Sequence, residues 1–174
     1  MGTHGTSGVT EFFVGSTAFR VVNHASCPVL TVQKRSTKKS YKTIIVPIRA
    51  ELNSRNKVNL VAKIAKTFSS KIIVTGYTSG NNKTEKEKVK QYVSQVIAFL
   101  KNEGIEYESV FLSNSNFTKA ILDHAKEQKA DLLAIMTKHD FSLAQIINGT
   151  YAQQFVNHSK IPVLSVPDTL KFEF

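Results

Sequence analysis

Glycines at positions 2, 5 and 15 have the type and spacing that a phosphate-binding loop requires. Gaps of two and nine residues separate Gly2, Gly5 and Gly15, and Ser16 follows directly. Because glycine has no side chain, its backbone can adopt positive φ and approach a ligand closely. The next residues, STAFRVVNHAS, have a helical pattern, and a helix N-terminus attracts anions. Gly2, Gly5, Gly15 and Ser16 therefore predict an anion-binding loop.

A loop of this kind requires a strand in front of it. In open α/β sheets the phosphate-binding loop follows the carboxyl end of a parallel strand. No strand pattern precedes Gly2 in this sequence. We therefore expect the opening strands of the unit that contains this loop to be missing, through a truncated gene product, a misplaced start or a deliberate fragment.

The composition predicts a cytoplasmic protein of one globular domain and an appendage. The chain has 174 residues, of which 41% are hydrophobic, enough for a buried core. Cys27 is the only cysteine, which excludes an intrachain disulfide, and the five histidines lack zinc-ligand spacing. The N-terminus lacks a signal-peptide pattern, and no apolar run is long enough to cross a bilayer. We therefore expect a cytoplasmic protein without a metal site or a membrane contact.

A formal net charge of +10 is concentrated in residues 33–42 and 81–90. A basic stripe can bind the phosphates of a nucleic acid, but neither segment belongs to a recognisable nucleic-acid-binding module. We interpret both segments as solvated, the first as a linker and the second as a helix face, and we do not expect nucleic acid as a partner.

Residues 42–174 alternate between strand and helix patterns. Short β-branched runs predict five strands, and the segments between them have apolar residues at helical spacing. Gly104 is predicted to end the longest helix, and Asn116 to cap the next one. Because right-handed crossovers cover both faces of a sheet, this alternation predicts a doubly wound α/β fold. The predicted strands are residues 42–48, 71–77, 107–112, 131–136 and 161–167.

An internal repeat relates the two ends of the chain. Residues 21–32, VVNHASCPVLTV, and residues 155–166, FVNHSKIPVLSV, share seven residues at matching places. The same register pairs Gly15 and Ser16 with Gly149 and Thr150. Such a match indicates a repeated module. We interpret residues 1–32 as the loop, helix and strand that end a first copy, and residues 42–174 as a complete second copy.

These residues resemble the universal stress protein family. Its nucleotide-binding members carry the pattern G-x2-G-x9-G-[ST] after the fourth strand, and Gly2, Gly5, Gly15 and Ser16 match it without gaps. The resemblance covers residues 1–32 as the remnant of one domain and residues 42–174 as a second domain, joined by a linker at 33–41. It implies a parallel sheet of order 3-2-1-4-5, with ATP at the carboxyl edge of the strands.

The resemblance also implies association through the fifth strands. In this family those strands pair edge to edge between domains or subunits. We expect residues 29–32 to pair antiparallel with residues 163–166 of the same or a neighbouring chain and to extend the sheet. An unpaired edge invites a further strand, so homodimers are predicted.

The complete copy departs from the nucleotide-binding pattern of the family. Met136 and His139 occupy its first two glycine positions, and only Gly149 and Thr150 remain. Arg49 stands where an acidic residue is usual, just after the first strand. We expect weak or absent ATP binding by this chain, and binding in a longer parent through its first domain. The site residues are Gly2, Gly5, Gly15 and Ser16, with Gly149 and Thr150 as the degenerate set.

Two further classes of function stay open beside the non-enzymatic stress protein. One is a nucleotide-hydrolysing enzyme of the same fold, and the other is a basic nucleic-acid-binding protein. Asp123 and His124 could suggest acid–base catalysis, but no nucleophile accompanies them, and we interpret them as a satisfied surface pair. Cys27 corresponds to Ile161 in the repeat, which predicts a small apolar role.

Overall fold

A computed structural model describes residues 16–33, 40–137 and 151–169 of the chain. These residues form five α-helices, six strands and a short 3-10 helix. In chain order the elements are α1 (Ser16–His24), β1 (Val29–Thr31), β2 (Thr43–Ile48), the 3-10 helix (Leu52–Arg55), α2 (Val58–Phe68), β3 (Lys71–Thr78), α3 (Lys83–Asn102), β4 (Tyr107–Ser113), α4 (Phe117–Glu127), β5 (Leu132–Thr137), α5 (Tyr151–His158) and β6 (Val163–Pro167).

The six strands form one sheet of order β1-β6-β5-β2-β3-β4. The five strands from β2 to β6 are parallel and have the predicted doubly wound order. β1 pairs antiparallel with β6 of the same chain, with Val29 opposite Ser165 and Thr31 opposite Val163. The structure therefore confirms the predicted α/β fold and its antiparallel edge strand.

Alternate residues of the strands enter two hydrophobic cores, one on each face of the sheet. On β2, Ile44 and Val46 join the core shared with α2 and α3, whereas Ile45 joins the core shared with α1, α4 and α5. All three side chains are at most 1% exposed. Burial of such a side chain stabilises the fold by about 1.5–3 kcal/mol, so β2 anchors both layers of helices.

α3 illustrates how the sequence sets the limits of a helix. The side chain of Asn82 accepts a hydrogen bond from Glu85 N at 3.1 Å and caps the N-terminus. Gly104 has φ +66°, a conformation that glycine adopts without strain, just after the helix ends. Five apolar residues on one side of α3 are buried, and Ile97 beside them is half-buried.

The repeated segments form equivalent elements. α1 ends at His24 and α5 at His158, and the strands that follow begin at Val29 and Val163. These are matching positions of the sequence repeat. α1 packs beside α5, and Val22 enters the same core as α5.

Several predicted details differ in the structure. The helix predicted between the first two strands of the complete copy begins only at Val58, because residues Leu52–Arg55 form a 3-10 turn first. His124 is not part of a surface pair: it is 5% exposed, and its Nε2 has no hydrogen-bond partner among the described residues. It lies one helical turn after Ile121, on the buried face of α4. Cys27 is an exposed free thiol in the turn before β1, so the apolar role predicted for it is wrong.

Candidate functional site

The topology of the sheet defines a crevice between β2 and β5. From β2 the chain proceeds outward to β3 and β4, and it then returns to β5 and β6 on the other side of β2. Ligands of open α/β sheets bind at such a switch point, outside the carboxyl ends of the strands. Arg49 follows β2 directly, and Thr137 ends β5. Arg49 contacts Phe117 and Tyr151, which are the first residues of α4 and α5, so both helices begin beside it.

Arg49 occupies this crevice. Its guanidinium carbon lies 4.7 Å from the centroid of the Phe117 ring and 4.7 Å from that of the Tyr151 ring. A cation over an aromatic face is attracted by the ring quadrupole. The guanidinium also forms an ion pair with Glu51 at 2.9 Å. Ser54 Oγ donates a hydrogen bond to Arg49 O at 2.9 Å and fixes the backbone.

Aromatic rings form the wall behind Arg49. Phe117 is 8% exposed and packs against Tyr77 at a centroid distance of 4.7 Å and against Phe155 at 5.3 Å. The hydroxyl of Tyr77 donates to Asn114 O, and burial raises the pKa of Tyr77. Tyr151, at the start of α5, is 47% exposed. The wall is therefore buried at Phe117 and open to solvent at Tyr151.

Lys57 is buried beside the carboxyl end of β2. It is 2% exposed, and its Nζ donates to Pro47 O at 2.7 Å and also to Ser54 O. Burial lowers the pKa of Lys57 from 10.5 to about 7; the charge of Glu51 opposes this shift and that of Arg49 adds to it. The amine thus joins the end of β2 to the 3-10 helix and holds the segment that carries Arg49.

Most of the predicted site residues lie outside the described part of the chain. This applies to Gly2, Gly5, Gly15, Gly149 and Thr150, and also to His139. Ser16 is the first residue of α1, but the structure does not describe its side chain.

Met136 can be placed. It continues β5, which ends only at Thr137, and its side chain packs against the core shared with α2 and α3. Universal stress proteins that bind nucleotides have a glycine at this position. In this chain the position has the half-buried side chain of Met136.

Signals for the remaining site residues are weak in the amino-acid sequence. The polar segment NSRNK has nothing that marks Lys57 as buried. Phe117 and Tyr151 are aromatic residues at the starts of two helices that meet the same sheet edge as Arg49, and this combination could have indicated a cation–π contact.

The described residues contain neither a cluster of metal ligands nor a membrane-spanning helix. No group of three or more His, Cys, Asp or Glu side chains lies close enough together there to hold a metal ion. The helices of residues 16–33, 40–137 and 151–169 include none with the length and apolar character needed to cross a membrane.

The fold and the switch-point crevice define a doubly wound α/β protein. The Universal stress protein family profile matches residues 1–33 and 40–167. The chain therefore belongs to the universal stress protein family. No curated protein matches the chain by sequence.

Solved structures share this fold. A universal stress protein in complex with cAMP is 21% identical, with a TM-score of 0.64 over 75% of this chain and 99% of that chain. A universal stress protein from Archaeoglobus fulgidus DSM 4304 is 18% identical, with a TM-score of 0.73 over 96% of this chain. The match spans only 59% of that longer chain. A universal stress protein from Archaeoglobus fulgidus in complex with dAMP is 19% identical, with a TM-score of 0.58 over 72% of this chain and 98% of that chain.

Proposed function

We propose that this chain is a cytoplasmic, non-catalytic stress-response protein, and that residues 42–174 bind adenine nucleotides weakly or not at all. Two solved relatives are complexes with cAMP and dAMP, so adenine nucleotides are the ligand class to test. The observation that carries the proposal is the position of Arg49 at the switch point.

A nucleotide at this crevice would have to displace the Arg49 side chain. The guanidinium contacts both Phe117 and Tyr151 and is paired with Glu51. Each contact with a ring is worth about 0.5–2 kcal/mol, so the displacement subtracts a substantial part of any binding free energy. A neutral adenine ring provides no charge to replace the guanidinium beside Glu51. The crevice therefore favours its own side chain over the nucleotide.

The phosphate side of the crevice is also altered. Glycine at a phosphate loop allows backbone N–H groups to approach the ligand. Met136 instead continues β5 and directs its side chain into a core. Glycine in place of Met136 would remove the packing of its side chain against this core, so Met136 stabilises β5 in the fold. These features support weak ATP binding by the complete copy.

The glycine set at Gly2, Gly5, Gly15 and Ser16 is intact, and we propose that it belongs to a first copy of the same unit. Two observations support this assignment. The family profile matches the chain in two separate stretches, 1–33 and 40–167. The α1–β1 segment has the same helix end and strand start as α5–β6. ATP binding through this set stays a prediction for a protein that contains a complete first copy.

We propose homodimerisation as the mode of association. The outer edge of β6 is occupied by β1 of the same chain. The predicted fifth-strand contact between copies therefore has to use the outer edge of β1, which is three residues long. A short edge provides few hydrogen bonds, so we expect a concentration-dependent dimer. Size-exclusion chromatography with light scattering tests this, and a strict monomer at high concentration would contradict it.

Calorimetric titration with ATP, AMP and cAMP tests the nucleotide proposal. We expect a Kd weaker than about 1 mM for the wild-type chain, which corresponds to less than about 4 kcal/mol of binding free energy. In Arg49→Ala the crevice is vacated, and AMP should bind measurably more tightly than to the wild type. Lys63→Ala removes one positive charge from an exposed position on α2 and should leave binding unchanged.

Tight binding by the wild type would refute the nucleotide proposal. A Kd below about 10 μM for ATP, unchanged by Arg49→Ala, would mean that the side chain does not compete for the site. The non-catalytic part is tested separately by phosphate release from ATP. Release by the wild type above that of a Gly15→Ala/Ser16→Ala variant would favour the enzyme instead.

A further inference from the structure

A groove of about 650 Å³ lies between α4 and the C-terminal half of α5. None of its lining residues belongs to the switch-point crevice. Thr118 Oγ1 donates a hydrogen bond to Gln154 Oε1 at 2.7 Å and joins the two helices within the groove. The volume falls in the range of small-molecule binding sites, which is about 300–1,000 Å³.

The floor of the groove is apolar. Ala125 and Ala130 are 3% and 2% exposed, and Leu122 and Ile161 are half-buried beside them. The two alanines contribute only methyl groups where larger side chains would fill the space. The accessible apolar surface that a partner could cover therefore comes from Leu122 and Ile161.

The rim of the groove is strongly basic. It carries Lys119, Lys126, Lys129 and Lys160, against the single carboxylate of Asp123. The four lysines are exposed, and none of their ammonium groups forms an ion pair with a described residue. Lys119 and Lys126 are separated by about 10 Å along the axis of α4. Lysines that are spread over this distance cannot all contact one small anion. They can instead pair with several carboxylates that lie along one partner.

Lys129 is held in an unfavourable backbone conformation. Its φ is +49°, in the left-handed region that favours glycine after a helix end. A lysine at this position costs stability relative to glycine. The chain thus places a positive charge on the groove at some cost to the fold.

We propose that the α4–α5 groove binds an acidic amphipathic helix of a partner protein. The apolar face of that helix would cover Leu122 and Ile161 above the alanines of the floor, and its carboxylates would face the lysines of the rim. Amphipathic helices bind grooves of this kind through apolar anchors at i, i+3, i+4 and i+7. Nucleic acid fits the groove less well, because its lining residues include no Phe, Tyr or Trp, and His158 is the single ring there on which a base could stack.

Fluorescence anisotropy with a synthetic probe tests the proposal on the full chain. The probe is a labelled peptide of about 15 residues, the shortest length at which isolated helices become stable. Its leucines lie on one helical face and its glutamates on the flanks. A second peptide has the same composition in scrambled order, so that its leucines no longer share a face. The first peptide should bind at least about tenfold more tightly than the second, a difference of about 1.4 kcal/mol.

Matched variants locate the binding site. Lys126→Glu reverses a rim charge in the last turn of α4 and should weaken binding about tenfold. Lys101→Glu makes the same change in the last turn of α3, on the other face of the sheet, and should leave binding unchanged. Lys129→Gly should weaken binding without loss of stability, because glycine tolerates the positive φ. This variant keeps the test independent of unfolding.

Three results would overturn the proposal. The first is no binding of either peptide at about 1 mM. The second is equal binding of the ordered and scrambled peptides, or equal weakening by Lys126→Glu and Lys101→Glu, which would indicate non-specific attraction to a basic protein. The third is equal or tighter binding of single-stranded DNA at the same groove, which would make nucleic acid the occupant.

Discussion

The buried amine of Lys57 makes the stability of the fold depend on pH. Its pKa is about 7 in the folded chain and 10.5 as the reference for an unfolded chain. Between these values the unfolded state binds more protons than the folded state, so stability rises with pH. Below about pH 7 both states are protonated and the full cost of burying the charge applies. Over the whole interval the gain is about 5 kcal/mol, and between about pH 7 and pH 9 it is about 2 kcal/mol.

Lys57→Met isolates this contribution, because it removes the titrating amine and keeps an unbranched apolar side chain. The variant also leaves Pro47 O and Ser54 O without their donor, which costs about 1–3 kcal/mol per unsatisfied group at any pH. The prediction therefore concerns the change with pH and not the stability at one pH. Relative to the variant, the wild type should gain about 2 kcal/mol between about pH 7 and pH 9.

Urea unfolding at several pH values measures how the free energy of unfolding changes with pH in the wild type and in Lys57→Met. Far-UV circular dichroism follows the unfolding, since the sequence has no tryptophan to serve as a fluorescent probe. Lys63→Met, which removes an exposed lysine from the same helix, is the control and should retain the wild-type slope. An equal change of stability with pH in the wild type and in Lys57→Met would refute the reasoning.

Three further predictions concern local contacts of the fold. Arg49→Ala should lower the free energy of unfolding by about 1–2 kcal/mol in thermal or urea unfolding, through loss of the contacts with Phe117 and Tyr151; no change would mean that the guanidinium is not held there. Ser69→Gly should raise the free energy of unfolding by about 0.5–1 kcal/mol, because Ser69 has φ +50° at the end of α2 and glycine adopts this conformation without strain. A decrease in the free energy of unfolding would contradict that conformation. Asn82→Ala should lower the free energy of unfolding by about 1 kcal/mol, because it removes the N-terminal cap of α3. The helicity measured by circular dichroism should fall in parallel. An unchanged free energy of unfolding would exclude the capping role.

The sheet could be predicted from the sequence because its signals are local. β-branched runs such as residues 42–48 mark buried parallel strands, and the helices between them fix the crossovers. The resemblance to the family predicted that residues 29–32 pair antiparallel with residues 163–166, and β1 pairs in this way at the edge of β6. The sequence resemblance supplied the strand order, which periodicity alone does not determine.

The site could be predicted only in part, because its contacts join residues that are far apart in the chain. Arg49 was identified as a departure from the family, but its contact with Phe117 and Tyr151 depends on the packing of α4 and α5. The burial of Lys57 depends on two backbone carbonyls that accept its hydrogen bonds. His124 belongs to the buried face of its helix, although histidine as a residue type has only an intermediate tendency to be buried.

The most direct test of the account is nitrogen-15 NMR of the Arg49 side chain during titration with ATP. The signal is assigned by its absence from the spectrum of Arg49→Lys. We predict that ring currents of Phe117 and Tyr151 displace the Arg49 Nε–H resonance from the position typical of a solvated arginine, and that ATP leaves it unchanged. A resonance at the solvated position, or a saturable shift on addition of ATP, would contradict the claim that Arg49 occupies the crevice.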